Sequence, residues 1–176
     1  MNAMTKYGVL LMVLVFFSSG QLHAYQSEDK LKAAIIGKLA KFITWQTHNR
    51  DEFVITVLNN PFDDLLETLY KNKQIKKKPV KIKYINDIKE LSATHILYIP
   101  HISQRELDTI LGSIEGKNIL TISDIRGFSQ KKGMIQIYFV SQKVKLKINH
   151  DVSKNEDLKI SSRLLRIATI VENEAE

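Results

Sequence analysis

Phe53-Val-Ile-Thr-Val-Leu58 is a short, continuous apolar run closed by Asn59-Asn60-Pro61. A strand with one wet face alternates apolar and polar residues, whereas a strand covered on both faces of a parallel sheet does not. Ile96 to Ile99, closed by Pro100, and Ile119 to Ile122 repeat the pattern. The segments between these runs read as helices. Leu65, Leu66, Leu69 and Tyr70 predict a helix of about two to three turns. Ser103 stands as the N-cap of another, which carries Leu107, Ile110, Leu111 and Ile114 and ends at Gly116. Val80, Ile82 and Tyr84 alternate with Lys81 and Lys83, a strand with one wet face whose first position suits Pro79.

Upstream, Ser27 precedes Glu28 and Asp29, and Leu31, Ala34, Ile35, Leu39, Phe42 and Ile43 recur at helical spacing. This predicts an amphipathic helix over 28–45, its apolar stripe packed on the sheet. Downstream the rhythm changes. Met134 to Val140 and Val144 to Ile148 are separated by only Ser141-Gln142-Lys143, the spacing of an antiparallel hairpin. The second of these strands is expected half exposed. A last helix is expected over 161–171, with a frayed acidic tail of Glu172, Glu174 and Glu176. The fold class is therefore α/β: a three-layer domain with a mainly parallel sheet, a C-terminal antiparallel hairpin edge and helices on both faces.

The chain has 176 residues, no cysteine and a formal charge of +7. That length suits one domain, expected over 25–176. Without cysteine there is no disulfide scaffold, thiolate zinc site, iron–sulfur cluster or thiol nucleophile. Residues 1–24 read as a signal peptide: Lys6, then the apolar run Val9 to Phe17, then Ser18-Ser19-Gly20 and Leu22-His23-Ala24. The apolar core is shorter than the roughly 20 residues that span a bilayer. The expectation is export to the periplasm, with the mature chain starting at Tyr25. Such a domain relies on its core for stability in an oxidising compartment.

No catalytic signature emerges. GxGxxG, GxxxxGK[ST] and GxSxG are all absent. His48, His95, His101 and His150 have no spacing that gathers a metal, since His95 and His101 flank one strand. Asp63-Asp64 sits at the start of a helix, where acids serve its dipole. The expectation is no enzyme, no cofactor and no metal.

Charge is uneven. Lys71, Lys73, Lys76, Lys77, Lys78, Lys81 and Lys83 fall within one short segment that has no arginine and no acid. Stacking aromatics are missing, which argues against nucleic acid. A lysine-only patch suits diffuse attraction to an anionic membrane surface or an acidic partner, or else a solvated sheet edge kept soluble by lysine.

Several blocks, taken in order, resemble the YfiR family of small periplasmic proteins, the DUF4154 domain. Asn118-Ile-Leu-Thr-Ile-Ser-Asp124, Gly127-Phe128, Gly133-Met134-Ile135, Leu146-Lys-Ile-Asn149 and Leu158-Lys-Ile-Ser161-Ser162-Arg-Leu-Leu165 match its C-terminal pattern. Ala40 to Trp45, Phe53 to Leu58 with Pro61-Phe62, and His95 to Tyr98 match earlier blocks. Two positions depart from it, Lys132 and Asp157, where glycine is usual. The resemblance implies a homodimeric periplasmic regulator that is not an enzyme. It implies that the protein binds and restrains the periplasmic sensor part of an inner-membrane diguanylate cyclase, or another sensor such as a histidine kinase, lowering cyclic di-GMP and biofilm output. A periplasmic small-ligand or metal-binding protein that reports to a sensor is the alternative. The motif residues of the matched blocks, Asp124, Gly127, Phe128, Gly133, Met134, Asn149, Ser161 and Ser162, are candidates for interaction or for forming turns. Asp124 is expected to form an Asx turn, Phe128 to plug the core or else to make a contact, Asn149 to close the backbone bonds of an edge strand and Ser161 to cap a helix.

Overall fold

The computed structural model describes residues 28–46 and 50–174. The expected signal peptide, 1–24, and His48 lie outside them.

The fold is α/β: among the described residues there are five helices, a curled mixed sheet of eight strands and a separate two-stranded antiparallel sheet. Helix α1 covers 28–39 and runs through a single 3-10 turn, Ala40–Phe42, into β1, Ile43–Trp45. There follow β2 (Phe53–Leu58), α2 (Leu65–Tyr70), β3 (Gln74–Ile75), β4 (Lys78–Ile85) and β5 (Ile96–Ile99). Next come α3 (Gln104–Ile114), β6 (Leu120–Ser123), β7 (Ile135–Val140) and β8 (Lys143–Asn149). The chain closes with α4 (His150–Asn155), β9 (Leu158–Ile160), α5 (Ser162–Leu165) and β10 (Thr169–Val171).

The large sheet is ordered β10-β8-β7-β6-β5-β2-β4-β3. Its centre, β4 to β7, is parallel; β7 and β8 form the antiparallel hairpin, with Ile137 opposite Leu146. Alternation within each central strand divides the core. Phe53, Ile55, Val57, Ile96, Tyr98, Leu120 and Ile122 join Ala33, Ile36 and Leu39 of α1 on one face. Leu58, Leu97 and Ile99 join Leu107, Ile110, Leu111 and Ile114 of α3 on the other. Helices therefore cover both faces, and the central strands are dry on both sides, as continuous apolar runs require. Helix α1 is further held by α2: the Tyr70 hydroxyl donates to the Ala33 carbonyl (2.9 Å) and accepts from the Gly37 N–H (2.9 Å). Burial pushes the Tyr70 phenol up from its ordinary pKa.

Five expectations need correction. The first helix does not reach 45: Ile43-Thr44-Trp45 is a strand, because it pairs antiparallel with Leu158–Ile160. Helix α2 has six residues, short of two full turns. The last helix stops at Leu165, and Thr169-Ile170-Val171, β-branched throughout, pairs parallel with Lys147 to Asn149. The hairpin consequently stands one strand in from the sheet edge. The tail is docked as far as Glu174, whose N–H donates to the Gln130 carbonyl at 2.8 Å.

Candidate functional site

The loop from β6 to β7 gathers most of the residues singled out in the sequence. Ser123 Oγ accepts from the Ile125 N–H at 3.0 Å, so Ser123 rather than Asp124 closes this turn. Asp124 instead accepts from the Lys32 ammonium of α1 at 2.9 Å, and Asp29 holds the same ammonium at 2.7 Å. Burial pulls the Lys32 pKa down, but the two carboxylates outweigh it and leave the pKa above the ordinary lysine value. Gly127 (φ 81°) turns the chain into a 3-10 helix, Phe128–Gln130. The Phe128 ring is fully buried against the α3 cluster. At Gly133 a Cβ would overlap that ring, so the close approach of backbone to Phe128 needs glycine. Met134 is buried and takes its N–H to Thr121 Oγ at 3.0 Å.

Asn149 is the fully buried last residue of β8 and not an edge-strand terminator. Its side-chain oxygen accepts from the Val152 N–H (3.1 Å) and caps α4. Its amide donates to the Ser129 carbonyl (2.8 Å) and to Asn173 Oδ1 (2.8 Å). Asn149 thus ties the 3-10 turn, α4 and the tail together. Ser161 and Ser162 lie apart from this loop. Ser161 Oγ accepts from the Leu164 N–H and caps α5, and its own N–H reaches the Phe42 carbonyl beside the small sheet.

The outer side of the loop, Gln130, Lys131, Lys132 and Met134, forms one wall of a groove of about 690 Å³. Helix α3 lines it through Asp108, Leu111 and Gly112, with its C-cap Glu115, and Glu156 and Asn173 also belong to the lining. Its floor is apolar and its rim mixes acids with two lysines. Gly112 meets no atom where a Cβ would stand, so the helix leaves open space there. Glu156, 7% exposed, clasps the turn after α3: its carboxylate accepts from the N–H groups of Gly116 (2.6 Å) and Asn118 (2.9 Å).

Both departures from the usual family pattern occupy left-handed backbone: Lys132 has φ 68° and Asp157 φ 51°. The turns are preserved and the strain falls on the side-chain-bearing residue.

Among the histidines, His95 is buried, stacked on Phe53 with centroids 4.4 Å apart, and its Nδ1 accepts from the Val54 N–H at 3.1 Å. His95 and His101 flank opposite ends of β5. No group of three His, Cys, Asp or Glu side chains that could hold a metal occurs among the described residues. None of the described helices is long and apolar enough to cross a membrane.

The lysines occupy the other end of the sheet. Lys76 and Lys77 form the tip of the β3–β4 hairpin, Lys78 begins β4, Lys81 pairs with Glu52 at 3.1 Å and Lys83 donates to Ser92 at 2.7 Å.

Sequence reasoning missed Lys32, Glu156, Thr121 and Asn173. Lys32 carried one signal, Asp29 one helical turn before it. For Glu156 nothing local pointed to a turn 40 residues away.

Fold and site together define a small α/β domain whose motif residues serve turns and packing while their outer neighbours shape a groove. The DUF4154 family model, described as YfiR/HmsC-like, matches residues 29–169. The chain belongs to this family, a regulatory and non-enzymatic group of periplasmic proteins in cyclic di-GMP signalling. No curated protein matches the chain.

Proposed function

We propose that this protein, exported by its N-terminal signal peptide and acting as a homodimer, binds and represses the periplasmic sensor domain of an inner-membrane diguanylate cyclase. Cyclic di-GMP and biofilm formation fall as a result. The groove walled by the 130–134 loop and α3 carries this reading. In a family defined by regulation, the residues behind that wall are committed to holding its shape, which leaves the wall itself free for contact. Deleting the gene is expected to raise cyclic di-GMP, and a wild-type copy to lower it again. Gly112→Phe, which fills the open space of the groove, is expected to fold and yet fail to restore repression. An unchanged cyclic di-GMP level on deletion, in a strain shown to make the protein, overturns the reading.

The groove volume supports a second reading, a small-ligand binder that reports to a sensor, because ligand sites commonly enclose roughly 300–1,000 Å³. A metabolite retained in native mass spectrometry and lost in Gly112→Phe favours that alternative.

A further inference from the structure

The hairpin β3–β4 ends the eight-stranded sheet, opposite β10. Ile75 is buried and anchors it. Gln74 faces Pro79 and Ile75 faces Lys78, so the connection is the two-residue turn Lys76-Lys77. Both residues are left-handed, with φ 54° and 63°. Two-residue turns of this kind strongly prefer Asn-Gly, because a Cβ is disfavoured at positive φ. Here two long cations take both positions and are held outward at the tip.

No hydrogen bond or ion pair among the described residues engages the side chains of Lys71, Lys73, Lys76 or Lys77, and all four are exposed. Lower on the hairpin, Glu52 and Ser92 take up Lys81 and Lys83. The charge is therefore left uncompensated at the tip. The tip also has no anchor for a shaped protein pocket: among the described residues the exposed large apolar side chains, Leu31, Val140, Ile167 and Ile170, all lie elsewhere. Protein interfaces draw their affinity from buried aromatic and arginine anchors. Lysine is a compact, strongly hydrated charge suited to a surface of many phosphates without fixed geometry.

We propose that the Lys76-Lys77 hairpin docks on anionic phospholipid headgroups of a membrane surface. Strain accepted at the tip is balanced by the position it gives two charges. Docking keeps the protein in the plane where a membrane-embedded sensor sits, a consequence that rests on the regulatory reading. The docking itself does not, since vesicles contain no sensor.

The test is co-sedimentation of purified protein with phosphatidylglycerol–phosphatidylcholine vesicles and with pure phosphatidylcholine vesicles at low and high salt. Binding is expected only to the anionic vesicles and only at low salt. The double variant Lys76→Asn/Lys77→Gly removes both charges and restores the favoured turn residues. Its vesicle affinity is expected to fall about 25-fold, roughly fivefold per lysine, while its thermal midpoint rises by about 3 °C. The control Lys89→Gln/Lys117→Gln, with the same loss of charge elsewhere, keeps most of the binding. Three results overturn the proposal: no binding to anionic vesicles at low salt, undiminished binding by the hairpin variant, or an equal loss in the control. Retained vesicle binding with lost affinity for an acidic sensor domain assigns the hairpin to a protein partner and equally overturns it.

Discussion

Lys32 of α1 and Asp124 at the end of β6, 92 residues apart in the chain, meet at 2.9 Å. Lys32 is 8% exposed, and Asp29, one turn earlier, is its second partner at 2.7 Å. The pair joins the first helix to the loop that carries Gly127 and Phe128.

Lys32→Met is expected to destabilise the protein by about 2 kcal/mol, below the range for a fully buried pair because Asp124 keeps some solvent. Urea unfolding measures it. The lysine pKa is raised in the folded state, so its stabilisation is full below the unfolded lysine value and is lost as pH rises through the folded one. The wild type should therefore lose stability at strongly alkaline pH more steeply than Lys32→Met. Parallel alkaline profiles would remove the ion pair from the account.

Lys132→Gly and Asp157→Gly are each expected to stabilise the fold by about 0.5–1 kcal/mol, as relief of left-handed strain exceeds the entropy glycine adds to the unfolded chain. Their effects should add, since the two residues stand in different turns. Thermal unfolding of both single variants and the double variant checks this. Destabilisation by either variant contradicts the strain argument.

The glycines Gly133 and Gly112 predict opposite signs. Gly133→Ala drives a methyl into the Phe128 ring and is expected to cost about 1–3 kcal/mol by overpacking. Gly112→Ala meets open space within α3 and is expected to gain about 0.5–1 kcal/mol from helix propensity. Equal effects in chemical denaturation would show that the packing at these two places has been misread.

Glu156→Ala strips two backbone N–H groups of their acceptor and is expected to cost about 2–3 kcal/mol. Glu156→Gln retains one acceptor oxygen and should lose about half as much. Hydrogen exchange at the Gly116 and Asn118 amides reports the same loss locally. Unchanged exchange there in Glu156→Ala would deny the clasp.

Much of the fold is legible in the sequence because long elements announce themselves. Phe53–Leu58, Ile96–Ile99 and the β7–β8 hairpin each carry a pattern sustained over several residues, and α3 shows its cap, its stripe and its terminator. The three-residue strands β1, β9 and β10 carry no such pattern. A segment of three residues completes no helical turn, and what makes it a strand is the partner that takes its hydrogen bonds. Ile43-Thr44-Trp45 and Thr169-Ile170-Val171 therefore continued an apparent helix until pairing with β9 and β8 decided otherwise. Helix α4 does carry a local signal, since Asn149 is its cap and Asp151 a first-turn acid, but Asn149 also ends β8 and the strand pattern masks the cap.

The α/β class, the order of the central elements, the concentration of lysine between positions 71 and 83, and the family can all be read along the chain. These rest on periodicity, composition and ordered short blocks, all local quantities. Three features emerge from three-dimensional packing alone: Asp124 serves Lys32 rather than its own turn, Glu156 clasps a loop 40 residues away, and Lys76 and Lys77 stand in left-handed backbone at a hairpin tip. Each depends on which distant groups are brought together once the apolar faces are buried, and spacing along the chain carries no record of that distance.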